Sequence, residues 1–136
     1  MPPTTVDDWI DIAKKRAADA EAIRKVEETS VGSVYMAGYA IECSLKALLR
    51  SKNISFPKSG REGHNLKGLW ENCGFKLRDL NDPTGAKTFF IEEWSTSLRY
   101  DSTCESSLDI LELLEGAKQL TRWIQNNMHR NYRKKK

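Results

Sequence analysis

Apolar residues along this chain fall into three long helical patterns, with one stretch of mixed signals before the last. Val6, Trp9, Ala13, Ala17, Ala20 and Ile23 recur at steps of three and four, while Lys14, Lys15, Asp19, Glu21 and Arg24 fill the other faces. That spacing predicts an amphipathic helix. Thr5 and Asp8 stand in the capping-box arrangement that starts it, and it runs to about Glu28. Thr29 and Ser30 are good caps for a second helix from Val31 to about Arg50, apolar on nearly every face and therefore central. Ser33, Ala37, Ala40, Ser44 and Ala47 recur along it, so a neighbouring helix can approach closely. Near the end, Ile110, Leu113, Ala117, Leu120 and Ile124 form the seam of a helix expected from about Glu105 to Met128.

The intervening stretch has a different chemistry. Pro57, Gly60 and Gly63 make residues 51–63 a loop. His64-Asn65-Leu66 opens a short helix with Leu66, Leu69 and Trp70 inward and Gly74 as its stop. After a break at Asp82-Pro83 and Gly85, Phe89, Phe90, Ile91 and Trp94 mark another short helical piece. The conformation of the next segment, STSLRYD, is not readable from pattern, and no period-two alternation suggests a strand anywhere. The expected fold is all-α, an up-and-down bundle of four or five helices in which two long helices pair with a central one.

A length of 136 residues allows one domain, expected over 1–129 with a basic tail at 130–136. Apolar residues at 39% suffice for one core, and charged residues at 30% suit a folded, water-exposed surface. The net charge of +3 includes Arg130, Arg133, Lys134, Lys135 and Lys136, so residues 1–129 carry −2. Such a body has no general field for nucleic acid, and any phosphate attraction must come from the tail or a local patch. The tail suits RNA, acidic protein or anionic lipid equally, or a solvated end. Cys43, Cys73 and Cys104 include no CxxC or Cys/His pair at metal spacing. Reduced thiols, no metal or cofactor, no membrane span and a cytoplasmic location are expected.

The string YMAGYAIECSLKALL at 35–49, followed by GHNLKGLW at 63–70 and WSTSLRYD at 94–101, resembles the prokaryotic HEPN domain family over most of the chain. The resemblance implies an up-and-down helical bundle, frequently a homodimer, in toxin–antitoxin pairs with a nucleotidyltransferase, in phage defence and in CRISPR-associated ribonucleases. Catalytic members cut RNA without a metal, using an Arg, usually followed by a polar residue, and a His after four to six intervening residues. Arg122 and His129 match that interval, although Trp123 departs from the polar preference. Seven residues are two helical turns less about 20°, so both project from one face, opposite the seam. A His near neutrality can move a proton while an Arg holds the phosphate. The competing reading is an interval arisen by chance near a fraying end.

Two further groups have a functional and a structural reading. Glu42 in so apolar a helix needs partners; Lys46 is one turn away and the resemblance suggests that His64 folds back towards it. The three form either a network pinning the loop or a pocket for a nucleotide or another small anion, and His64 is also a candidate helix cap. Arg99 and Tyr100 can clamp a base and a phosphate, or Arg99 can pair with Asp101 or a helix end. Trp123, bordering the seam, is a candidate for a dimer interface. The sequence-level expectation is a homodimeric defence or toxin–antitoxin protein that contacts RNA or nucleotide, with metal-independent endoribonuclease activity as one outcome. The alternatives are a non-catalytic module that docks a partner enzyme, such as a nucleotidyltransferase antitoxin, and a nucleotide-binding domain.

Overall fold

Thr5 starts the first helix, α1 (Val6–Val26), through a reciprocal capping box: its hydroxyl accepts from Asp8 N at 3.0 Å, and Asp8 Oδ2 accepts from Thr5 N at 3.0 Å. The computed structural model describes residues 3–57, 63–100 and 108–134, and among these the side chains of all but 99, 100 and 129–134. Ser30 caps α2 (Val31–Ser51) by accepting from Gly32 N at 3.1 Å. Asn65 caps the short α3 (Leu66–Asn72), which ends before Gly74 at φ 83°, a left-handed turn that a glycine adopts without strain. A single turn at Leu77–Asp79, the short α4 (Ala86–Glu92), a further turn at Thr96–Tyr100 and the long α5 (Ile110–Lys134) complete an all-helical order with no strand among the described residues.

α2 is the central rod. Val34, Ile41, Leu45, Ala47, Leu48 and Leu49 are wholly removed from solvent, because α1 and α5 both pack on α2 and α3 and the Thr96–Tyr100 turn cover more of it. α1 supplies Trp9, Ala13 and Ala20, and α5 supplies Leu113, Ala117, Leu120, Ile124 and Met128. Gly116 of α5 sits so close to Ala86 of α4 that an added Cβ would lie 2.5 Å from the alanine methyl. Trp70, Phe75 and Trp123 form one aromatic cluster, with Trp123 5.5 Å from Trp70 and 4.7 Å from Phe75 between ring centroids.

Two expectations change. α5 begins at Ile110 rather than near Glu105: Leu108 and Asp109 are not helical, and Asp109 Oδ1 accepts from Glu112 N at 2.8 Å in the first turn. It also continues past Met128 to Lys134, so the backbone of the basic segment is helical as far as that residue. Trp123, half-buried, also stacks into the aromatic cluster of its own bundle.

α4 is capped from a distance. Gly85 makes no side-chain cap, and Asp82 instead accepts from Lys87 N at 3.1 Å, Thr88 N at 2.9 Å and the Thr88 hydroxyl at 2.7 Å. Partial burial pushes the Asp82 carboxyl up, but the Thr88 and Lys87 donors outweigh it and hold the group below the usual range. Asp82→Ala should cost about 1–2 kcal/mol in urea unfolding at neutral pH. Because the folded-state pKa is depressed, that contribution is present above the ordinary carboxyl value near 4 and fades as pH falls below it. The parent and Asp82→Ala curves should therefore converge in acid.

Candidate functional site

Glu42 lies on α2 among Ile41, Cys43 and Leu45, only 3% exposed, where an isolated carboxylate would cost several kcal/mol. It has two partners. Lys46, one turn on and 1% exposed, donates from Nζ to Glu42 Oε2 at 3.1 Å. His64 reaches back from the start of α3 and places Nδ1 2.8 Å from Glu42 Oε1. A carboxylate only accepts, so the ring proton sits on Nδ1. Asn65 rather than His64 caps α3, which leaves the imidazole free to join the network.

Aromatic rings fix the positions of these groups. Tyr39 stands edge-on to His64 at 5.7 Å and to Trp94 at 5.5 Å, and Tyr35 stacks on Trp94 at 6.1 Å. The Tyr35 and Tyr39 hydroxyls are 3.0 Å apart. Lys46 Nζ lies 5.1 Å from the centre of the Trp9 ring, a cation–π contact inside the bundle. Next to the network, burial and the nearby Glu42 carboxylate push the Cys43 thiol up to about 12, and burial does the same to Cys73. At neutral pH both are protonated and poor nucleophiles. No group of three or more His, Cys, Asp or Glu side chains suited to a metal ion occurs among the described residues.

Arg122 lies elsewhere. It is exposed on α5, away from the seam residues Leu120 and Ile124, and makes no hydrogen bond or ion pair among the described residues. The α5 backbone carries position 129 seven residues further on. The His129 side chain lies outside the described residues, as do the side chains of Arg99 and Tyr100, whose backbone belongs to the Thr96–Tyr100 turn packed on α2. Asp101, Cys104 and the final residues 135–136 are also outside them. No described helix is long and apolar enough to cross a membrane.

A family model for the HEPN domain matches residues 6–127, nearly the whole of the helical architecture. The chain belongs to the HEPN family. Among solved structures, this HEPN chain superposes on the crystal structure of an archaeal HEPN homologue with a TM-score of 0.59 and 20% identity, over 93% of this chain and 99% of the other. That likeness is one of fold. No curated protein matches the sequence.

The HEPN bundle also brings residues that pattern reading left outside any candidate site alongside Glu42 and Lys46. Trp9 and Arg16 are seven apart on α1, and Tyr35, Tyr39, Glu42 and Lys46 lie at successive steps of four, three and four on α2. All six line one pocket. The signal was available as two facing stripes of helical period, but pairing them requires knowing that α1 and α2 lie side by side.

Proposed function

We propose that this HEPN protein acts as a homodimer on RNA, with Arg122 and His129 from each subunit contributing to a composite, metal-independent cleavage site. Arg122 is the observation that carries this reading: an arginine on the outer face of α5, exposed and without an intramolecular partner among the described residues, is a cation available to a phosphate. Its interval to His129 is one that ribonucleases of the family allow. A neutral imidazole can take a proton from a ribose hydroxyl and return it to the leaving oxygen while the guanidinium neutralises the phosphate. The working unit would be residues 1–129, with the basic segment 130–136 adding salt-sensitive attraction to RNA. A cytoplasmic setting in defence or in a toxin–antitoxin pair, with a nucleotidyltransferase as partner, is the context that fits.

The test is degradation of single-stranded RNA by purified protein in excess chelator. The parent should cut, and His129→Ala and Arg122→Ala should each lose at least about a hundredfold in rate. Equal activity in parent and variants removes the assignment.

One observation favours a second reading. Trp123, where catalytic members usually carry a polar residue, is spent on the Trp70–Phe75 cluster. A bundle that has given that position to packing suits a non-catalytic module that docks a partner enzyme. Chelator-resistant silence on every RNA tried, with stable capture of a partner enzyme, is its expected result.

A further inference from the structure

Three amide side chains follow one another on α5, and each is used differently. Gln125 donates from Nε2 to Ser44 Oγ of the central helix at 3.3 Å. Asn127 turns back on its own helix and donates from Nδ2 to Trp123 O at 2.9 Å. Asn126 does neither: it is exposed and makes no hydrogen bond among the described residues. Asparagine is one of the poorer residues for a helix interior, because its short amide favours cap and turn conformations. At this position it weakens α5 and gives the bundle no contact in return.

The register of α5 gives it a place. At about 100° per residue, position 126 lies about 40° round the helix from Arg122, and position 129 about 20° to the other side. Along the axis, Asn126 is about 6 Å beyond Arg122 and about 4.5 Å before position 129. Its amide therefore stands on the outer face of α5, between the residue assigned to the phosphate and the one assigned to proton transfer. Arg122 already supplies the charge, and what a carboxamide adds is a donor and an acceptor side by side. Adenine presents an amino donor next to a ring-nitrogen acceptor on both its Watson–Crick and its Hoogsteen edge, and asparagine meets such a pair with two hydrogen bonds. The bases of single-stranded RNA are open to this contact. We infer that Asn126 is a specificity-determining residue that reads an adenine beside the scissile phosphate. That role rests on the RNA-cleaving reading and names its substrate class, single strands containing adenine.

Fluorescence anisotropy of the whole protein with short labelled oligo(A), oligo(C) and oligo(U) strands tests the inference, in a His129→Ala background so that the strands stay intact. Oligo(A) should bind at least about fivefold more tightly than the other two. Asn126→Ala should bring the three affinities together, with oligo(U) binding within about twofold of its starting value because no charge is removed. Asn126→Gln should restore part of the preference, and Gln125→Ala and Asn127→Ala, whose amides are committed inside the protein, should keep it. Alanine is the better helix former, so Asn126→Ala should retain parent-like circular dichroism. Equal affinity for the three strands, a preference that survives Asn126→Ala or is lost equally in Asn127→Ala, or no binding to any strand overturns the inference. Cleavage is scored separately with His129 intact on a strand of mixed sequence. Cutting without regard to neighbouring adenines leaves the ribonuclease reading standing and removes this role alone, whereas an Asn126-dependent preference in binding without any cutting removes cleavage and leaves the recognition of adenine.

Discussion

Glu42→Ala should lower the free energy of unfolding by about 3–5 kcal/mol, read from the midpoint of a urea transition followed by far-ultraviolet circular dichroism. The acid is 3% exposed and Lys46 1% exposed, so removing the carboxylate takes a charge-assisted hydrogen bond away from a buried ammonium. His64 loses its acceptor as well and no longer ties the start of α3 to α2. The size of the effect comes from the broken buried ion pair and only slightly from the missing methylenes. The double replacement Glu42→Leu with Lys46→Met should therefore recover most of the loss, because it removes both desolvated ions and keeps the volume filled. Glu42→Gln, which keeps acceptors but no charge, should fall between. A loss below about 1 kcal/mol for Glu42→Ala would contradict the claim that this carboxylate holds the network together.

A comparable loss is expected from adding a single methyl group. A Cβ on Gly38 would lie 1.9 Å from Trp94 Cε2 and 2.1 Å from Trp94 Nε1, and the indole cannot retreat without giving up its 3.2 Å hydrogen bond to Val34 O and its stack on Tyr35. Alanine favours helix over glycine by about 1 kcal/mol, but expelling a tryptophan that is 5% exposed outweighs it. Gly38→Ala should destabilise by about 3 kcal/mol net, with a red shift of tryptophan emission in the native state. Shrinking the partner through Trp94→Leu in the Gly38→Ala background should return part of that loss. A Gly38→Ala protein within about 0.5 kcal/mol of the parent would show that the indole has another place to go.

Local signals made much of this architecture legible. The Thr5–Asp8 box, the apolar run from Val31 and the seam on α5 are short-range patterns with period 3.6, and they place the central rod and its two long neighbours close to where the structure has them. The acid at Glu42 announced a need for partners, and Lys46 one turn on was the obvious first one. The misplaced start of α5 had a readable remedy, since Asp109 stands just before the first seam residue, Ile110, at capping distance from Glu112.

Long-range aromatic partners were not legible in this way. Gly38 lies off the small-residue stripe of α2, and its reason for being glycine is an indole whose hydrogen-bond acceptor, Val34, is sixty positions away from it. Trp123 was read from its own helix, while Phe75 sits in a stretch without periodicity and only the folded chain brings the two together. The α1–α2 pocket is hidden for the same reason: each wall reads as an ordinary helix face until the two are opposed.

The sandwiching of α2 between α1 and α5 also orders events during synthesis. Arg50 Nε donates to Thr4 O at 2.9 Å, so the end of α2 is laced to the entrance of α1, and this hairpin can close while the remainder is still being translated. Until α5 leaves the ribosome, the flank of α2 that it covers stays greasy and bare. A stalled nascent chain is thus at its most aggregation-prone before Leu113–Ile124 emerges, and that interval is when a chaperone would have most to hold.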